Sequence, residues 1–65
     1  MTKEELLTHV NKKCTLQSDR WEGEVFGSLM HFGGNIFKVE DSYFSVGQIE
    51  EARELSKEHL LIEIL

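Results

Sequence analysis

The architecture of this chain follows from one stretch, Trp21-Glu-Gly-Glu-Val-Phe-Gly-Ser-Leu-Met-His-Phe-Gly-Gly-Asn-Ile-Phe-Lys-Val-Glu40. Residues 21–32 alternate in the period-two manner that predicts a long strand. The segment Phe32-Gly33-Gly34-Asn35 predicts a hairpin turn, because paired glycines tolerate positive φ. Residues 36–40 are then expected to return as an antiparallel neighbour, since a short hairpin allows no other direction.

The long predicted strand has two unlike faces. One face carries Trp21, Val25 and Leu29, interleaved with Gly23 and Gly27. The other face starts with acids and becomes apolar; its members are Glu22, Glu24, Phe26, Ser28, Met30 and Phe32. This change favours a strand that bends between two packing environments, with the two glycines as the places where it bends.

The segment before this strand is predicted to begin as a helix. Thr2 and Glu5 have the spacing of a reciprocal capping box. Leu6, Leu7 and Val10 follow at helical intervals, so we expect a helix over residues 3–12. Cys14 and Leu16 then predict a short strand that ends in a turn at residues 18–20.

The segment after residue 40 leaves two interpretations open. A turn at 41–42 and a short strand over 43–46 are expected in either case. Residues 48–58 carry acids early and bases late, which suits a helix dipole, and their apolar positions form one helical stripe. The rival interpretation continues the strand through Ile49 and turns at 56–59. We favour the helix, followed by a final strand over 60–65.

These elements predict a single α+β domain over residues 1–65. We expect a small, strongly bent antiparallel sheet, with the N-terminal helix over one open side and a short helix before the last strand. The stretch from Gly27 to Asp41 resembles the glycine–leucine–asparagine portion of the Sm motif, and the element order resembles Sm-like and SH3-like small β-barrels. That resemblance implies a partial barrel. It also implies RNA binding by an oligomeric ring, with Arg20, Lys38 and Tyr43 as the candidate pocket residues.

Composition limits how so short a chain can be stabilised. It has 65 residues, 40% of them hydrophobic, and a single cysteine, so no internal disulfide forms and no zinc site with several cysteines is available. No apolar run reaches the length of a membrane span. The first five residues lack the pattern of a secretion signal. Together with the lone thiol, this predicts a cytoplasmic protein.

The net charge of −5 is unevenly distributed along the chain. Residues 1–39 carry five acids and five bases, whereas residues 40–65 carry seven acids against Arg53 and Lys57. An acidic surface of this kind repels phosphate backbones, so nucleic-acid binding is disfavoured.

No combination of residues predicts catalysis or metal binding. The three histidines have no ligand spacing, although a site combining His31 with Cys14 across neighbouring strands is conceivable. Cys14 belongs to an apolar series, which favours a buried structural thiol over a nucleophile. Glu22 and Glu24 could act as an acid and base pair only beside a substrate cleft, and so small a fold has little room for one. We expect no catalytic residue, no metal, no cofactor and no enzyme activity.

The surplus of large apolar side chains predicts a binding surface instead. Either both faces of the bent sheet are buried, or some rings reach solvent, with Phe26 and Met30 the foremost candidates. The partner-binding residues we expect are Trp21, Phe26, Met30, Tyr43, Glu50, Glu51 and Glu54. The leading hypothesis is a small acidic protein–protein interaction module, a regulator or inhibitor of the kind encoded by phages. Its partner would be another protein or a second copy in a homodimer. The alternative is a Sm-like RNA-binding oligomer.

Overall fold

The computed structural model describes all of residues 1–65 as one short helix and six strands. The helix α1 spans Lys3–Leu7, and a single 3-10 turn spans Val46–Gln48. The strands are β1 Lys13–Ser18, β2 Val25–Gly33, β3 Ile36–Val39, β4 Ser42–Ser45, β5 Ile49–Ser56 and β6 His59–Ile64. The protein is therefore a mostly-β small domain.

The six strands form one mixed sheet in the order β4-β3-β2-β1-β6-β5. All neighbours are antiparallel except β1 and β6, which run parallel from Lys13 beside His59 to Ser18 beside Ile64. The prediction of a strongly bent antiparallel sheet in a partial barrel is wrong, because the sheet is mixed, open and not strongly curled. Parallel pairing places the two most deeply buried strands, β1 and β6, side by side in the interior of the sheet, with a strand on each side of both.

The hydrophobic core lies on one side of this sheet, which we call the inner face. Ten buried residues form the core cluster: Leu6, Cys14, Leu16, Leu29, Phe37, Val39, Phe44, Leu60, Ile62 and Ile64. Leu6 comes from α1, and all the others occupy alternate strand positions that point to the same side. The helix therefore covers the inner face, as predicted.

The start of the helix was predicted correctly, but the predicted helix extends further than the observed one. The capping box forms, with the Thr2 amide donating to Glu5 Oε1 at 3.0 Å and the Glu5 amide donating to Thr2 Oγ1 at 3.2 Å. The helix stops at Leu7 rather than at residue 12. Asn11 adopts a φ of 73°, and its amide donates to the Leu29 carbonyl at 2.8 Å. Its backbone thus bonds to β2 and is no longer available to continue a helix.

Residues 48–58 form a strand and not the predicted helix. Along β5, Ala52 lies opposite Ile62 and Arg53 lies opposite Leu61, so the backbone bonds to β6. The rival interpretation is correct that this segment is extended and turns just before His59. It is wrong that the preceding strand continues through Ile49, because the 3-10 turn over Val46–Gln48 separates β4 from β5. The helical stripe in this segment was coincidental, because Leu55 and Ser56 are exposed while Ile49 and Ala52 alone pack against the core. No short helix precedes the last strand.

The central hairpin forms as predicted, and the strand before it is shorter than predicted. Gly33 and Gly34 have φ values of 108° and 54°, which supply the positive angles that the turn needs. Strand β2 begins at Val25, so Trp21 precedes the strand and does not share a face with Leu29. The next turn lies at residues 40–41, one residue earlier than predicted, with Glu40 at a φ of 55°.

The five-residue helix is far too short to cross a membrane, and the structure contains no other α-helix.

Candidate functional site

The side of the sheet opposite the core, which we call the outer face, has no covering element. Its side chains occupy the strand positions that alternate with the core: Lys13, Thr15, Gln17, Phe26, Ser28, Met30, Phe32, Ile36, Lys38, Tyr43, Glu51, Arg53, His59, Leu61 and Glu63. Five of its large side chains are exposed: Phe26 53%, Met30 37%, Phe32 62%, Ile36 36% and Tyr43 52%. This is the largest concentration of exposed rings in the chain.

One aromatic cluster of the outer face lies on β2, β3 and β4. The rings of Phe32 and Tyr43 meet edge to face, with their centroids 5.0 Å apart. The ammonium group of Lys38 lies 5.5 Å from the Tyr43 centroid, within range of a cation–π interaction. These contacts restrict the two rings while leaving more than half of each exposed.

A second cluster of the outer face lies on β2, β1 and β6. The rings of Phe26 and His59 meet edge to face at 5.5 Å. His59 Nε2 also lies 2.7 Å from Thr15 Oγ1, which fixes the orientation of the imidazole. Leu61, next to Thr15 in the parallel pairing, is only 9% exposed. The centre of the outer face therefore combines the apolar side chains of Phe26 and Leu61 with a hydrogen-bonded pair, Thr15 and His59.

The structure decides between the two predictions for the surplus aromatic residues. Phe26 and Met30 are exposed, as expected of the foremost candidates, and the alternative in which both sheet faces are buried is wrong for the single chain. Tyr43 lies on the same face, whereas Trp21 lies in the loop before β2. Phe32, the most exposed ring, was not among the predicted partner-binding residues. The sequence did contain a sign that Phe32 would be exposed, because it alternates with Phe26 and Met30 and therefore shares their face of the strand.

The three acids predicted to bind a partner do not form one surface. Glu51 lies on the outer face opposite Glu63, while Glu50 lies at an irregularity in the pairing of β5 with β6. Glu54 points toward the helix side, where its Oε1 lies 3.1 Å from His9 Nε2. In a strand these residues alternate in direction, whereas the predicted helix would have kept them close together.

His9 connects the helix end to the edge strand β5. The imidazole is 7% exposed, with Nδ1 2.9 Å from the Glu5 carbonyl and Nε2 3.1 Å from Glu54 Oε1. Both ring nitrogens thus have partners, which a buried polar group requires. These contacts join the segment after α1 to β5.

Cys14 and His31 do not converge. Cys14 is fully buried opposite Gly27, and burial raises the pKa of its thiol to about 12. His31 is exposed and bonds through Nε2 to the Gly34 carbonyl at 3.0 Å. It lies four residues beyond Gly27 along β2, or about 13 Å at strand spacing. No group of three or more His, Cys, Asp or Glu side chains is arranged to hold a metal ion.

Glu22 and Glu24 lie beside a cleft at one end of the sheet, where little room was expected. The cleft has a volume of about 450 Å³ and is lined by Gln17, Ser18, Asp19, Trp21, Glu22, Gly23, Glu24 and Glu63. Gln17 donates to Glu24 Oε2 at 2.6 Å. Trp21 is the only apolar wall, so the cleft is a polar, acidic depression. It adjoins the outer face, to which Gln17 and Glu63 also belong.

Comparisons with models of known protein families, with curated proteins and with solved structures found no match for this chain. Of the residues that would form an RNA pocket in a Sm-like ring, Lys38 and Tyr43 lie together, but Arg20 is far from both. Arg20 donates to the Leu65 carbonyl at 2.7 Å, beyond the end of β6, whereas Lys38 and Tyr43 lie on β3 and β4. Three strand spacings separate β3 from β6, or roughly 14 Å.

Proposed function

We propose that the protein is a small, non-enzymatic protein–protein interaction module whose contact surface is the outer face. The observation that carries this proposal is the exposure of Phe26, Met30, Phe32 and Tyr43 on one side of an open sheet. Large side chains of this kind have roughly 150–250 Å² each, so half exposure leaves about 400 Å² of apolar surface. A patch of that size is at the scale of functional patches on small proteins.

The chemistry of the outer face supports a protein partner over a nucleic acid. Rigid aromatic and methionine side chains with a polar rim are typical of protein interfaces. The bases on this face, Lys13, Lys38 and Arg53, are accompanied by Glu51 and Glu63, and the whole chain has a charge of −5. Such a balance provides no stripe of positive charge for a phosphate backbone.

The same geometry supports a role in binding over one in catalysis. The thiol of Cys14 is buried and has a raised pKa, so it is a poor nucleophile. The acidic cleft has one apolar wall and lacks the enclosed pocket that usually holds a small substrate. A role as a regulator or inhibitor of the kind encoded by phages stays a prediction.

The test is affinity capture with matched surface variants. The immobilised wild-type chain, a Phe26→Ser/Phe32→Ser variant and a Leu7→Ser control are exposed to the same cell extract, and bound proteins are quantified by mass spectrometry. Leu7 is 39% exposed on α1, away from the outer face. We expect one protein to be retained by wild type and control and lost from the double variant. Equal retention by all three chains would refute the proposal.

The predicted contribution of the acids can be measured on the captured complex. Charge reversal at Glu50, Glu51 and Glu54 should slow association at low salt if acidic charge guides the encounter. The three acids should contribute unequally, because only Glu51 among them lies on the outer face. A single Glu51→Lys variant should therefore account for most of the change in association rate, and Glu50→Lys for little.

A further inference from the structure

Strand β5 is an edge of the sheet, because it has β6 on one side and no strand on the other. The residues of β6 bond alternately to β1 and to β5. The Lys13 amide on β1 donates to the Glu58 carbonyl at 3.0 Å, so the even-numbered residues of β6 bond to β1 and the odd-numbered residues bond to β5. Opposite the odd-numbered residues of β6, at the centre of β5, lie Glu51 and Arg53.

The residues that alternate with these two turn their peptide groups to the open edge. Ala52 and Glu54 each present an amide and a carbonyl there, and no helix or loop bonds to any of these four groups. The pairing with β6 is regular from Glu51 to Glu54, so the four groups have the spacing that a further strand would use. Such an edge is a template for a strand from another molecule.

The opposite edge of the sheet, β4, offers fewer free groups. It has 4 residues, against 8 in β5. The Ser45 amide at its end donates to Gln48 Oε1 at 2.9 Å, so a side chain of the same chain already occupies that position. Of the two edges, β5 therefore has the longer row of unpaired peptide groups.

The outer-face side chains of β5 indicate what charge an added strand would carry. Glu51 lies directly opposite Glu63, and like charges in that position destabilise a sheet. The only ion pair of the protein joins His9 to Glu54, so no cation of the chain pairs with either of the two opposed acids. A base on an added strand beside Glu51 would relieve this repulsion.

The inner-face side of β5 indicates where an added strand would place apolar side chains. Ala52 lies at the margin of the core, where it packs against the core cluster together with Val10 and Ile49, and all three are only partly buried. An apolar side chain beside Ala52 would extend this cluster. The segment that fits the edge therefore alternates apolar residues with polar residues that include bases.

We propose that the β5 edge binds an extended segment of another protein, whose backbone pairs with Ala52 and Glu54. Its apolar side chains lie on the inner face, and a lysine or arginine lies beside Glu51. The charge of the edge supports a basic segment, since residues 49–58 carry four acids against two bases. The edge is separate from the exposed rings of the outer face, so this inference goes beyond the proposed function and does not depend on it.

The experiment is an NMR titration of the isotope-labelled chain with two synthetic peptides as long as β5. Both have valine at every second position. In the first peptide, lysine and threonine alternate at the other positions, and in the second, glutamate replaces lysine. The lysine peptide at saturation should slow hydrogen exchange of the Ala52 and Glu54 amides at least about tenfold, because those amides become bonded. The glutamate peptide should bind at least about tenfold more weakly.

A pair of variants at Ala52 tests the backbone contact. Ala52→Pro removes the N–H that faces the edge, and edge strands tolerate proline where that N–H faces solvent. Ala52→Ser keeps the N–H. The proline variant should bind the lysine peptide at least about tenfold more weakly, and the serine variant should bind within about twofold of wild type. Preserved signals from the core residues Phe37 and Phe44 check that both variants fold, and the exchange measurement on the wild type needs no variant.

Four results would overturn the inference: no binding of the lysine peptide up to about 1 mM, equal binding of the two peptides, protection at β4 instead of β5, or equal binding by a folded proline variant. Protection of the Ala52 amide without peptide, rising with protein concentration, would identify a second copy as the occupant and would also overturn it. None of these results bears on the proposed function, whose test replaces Phe26 and Phe32.

Discussion

At the scale of single residues, Cys14 illustrates how strand position determines chemistry. It lies at an inner-face position of the central strand β1, with neighbours on both sides, and is fully buried. Burial raises the pKa of the thiol from 9.0 to about 12, because the charged thiolate loses its hydration. The folded protein therefore keeps the proton at pH values where the unfolded chain releases it.

The raised pKa predicts a loss of stability in alkaline solution. Between about pH 9 and about pH 12 the unfolded chain binds fewer protons at this thiol than the folded chain, so stability falls as pH rises. The slope from one such group is at most about 1.4 kcal/mol per pH unit. Urea unfolding of wild type and a Cys14→Ala variant at pH 8, 9.5 and 10.5 measures it. Parallel slopes for the two proteins would contradict the prediction.

At the scale of elements, the β2–β3 hairpin was predictable because its signal is local. Gly33 and Gly34 allow positive φ, and the structure uses both. The capping box of Thr2 and Glu5 was predictable for the same reason. The strand over residues 49–56 was not predictable in this way. The order of its charges and the spacing of its apolar residues suit a helix, and pairing with β6 overrides that local preference.

Replacing Gly33 tests the hairpin geometry. Gly33 has a φ of 108°, so Gly33→Ala should destabilise the protein by about 1–2 kcal/mol. Gly23→Ala is the matched control, because a Cβ there meets nothing within 4 Å and Gly23 has no positive φ. Its effect should stay within about 0.5 kcal/mol. Chemical denaturation measures both, and equal effects would show that the turn has another conformation.

At the scale of the whole molecule, the sequence indicated the number of apolar side chains but not which face each would occupy. The exposure of Phe26 and Met30 follows from the alternation of side chains along a single strand, and this alternation can be seen in the sequence. The parallel pairing of β1 with β6, by contrast, joins residues more than forty positions apart. No local pattern records such a contact, and the mixed, open sheet was therefore missed.

Two phenylalanines close together in the chain should differ sharply in their contribution to stability. Phe37 is fully buried in the inner core and Phe32 is 62% exposed on the outer face. Phe37→Ala should cost about 3–5 kcal/mol in the free energy of unfolding. Phe32→Ala should cost less than about 1 kcal/mol. Thermal or urea unfolding at low protein concentration compares them, and similar costs would contradict the assignment of the two faces.

The central claim is that one sheet face forms the core while the other leaves its rings open to solvent. Hydroxyl-radical footprinting of the dilute chain, analysed by mass spectrometry, measures this exposure ring by ring. The structure predicts rapid oxidation of Phe26, Phe32 and Tyr43 and protection of Phe37 and Phe44. Protection of all five rings to the same degree in the monomer would contradict it.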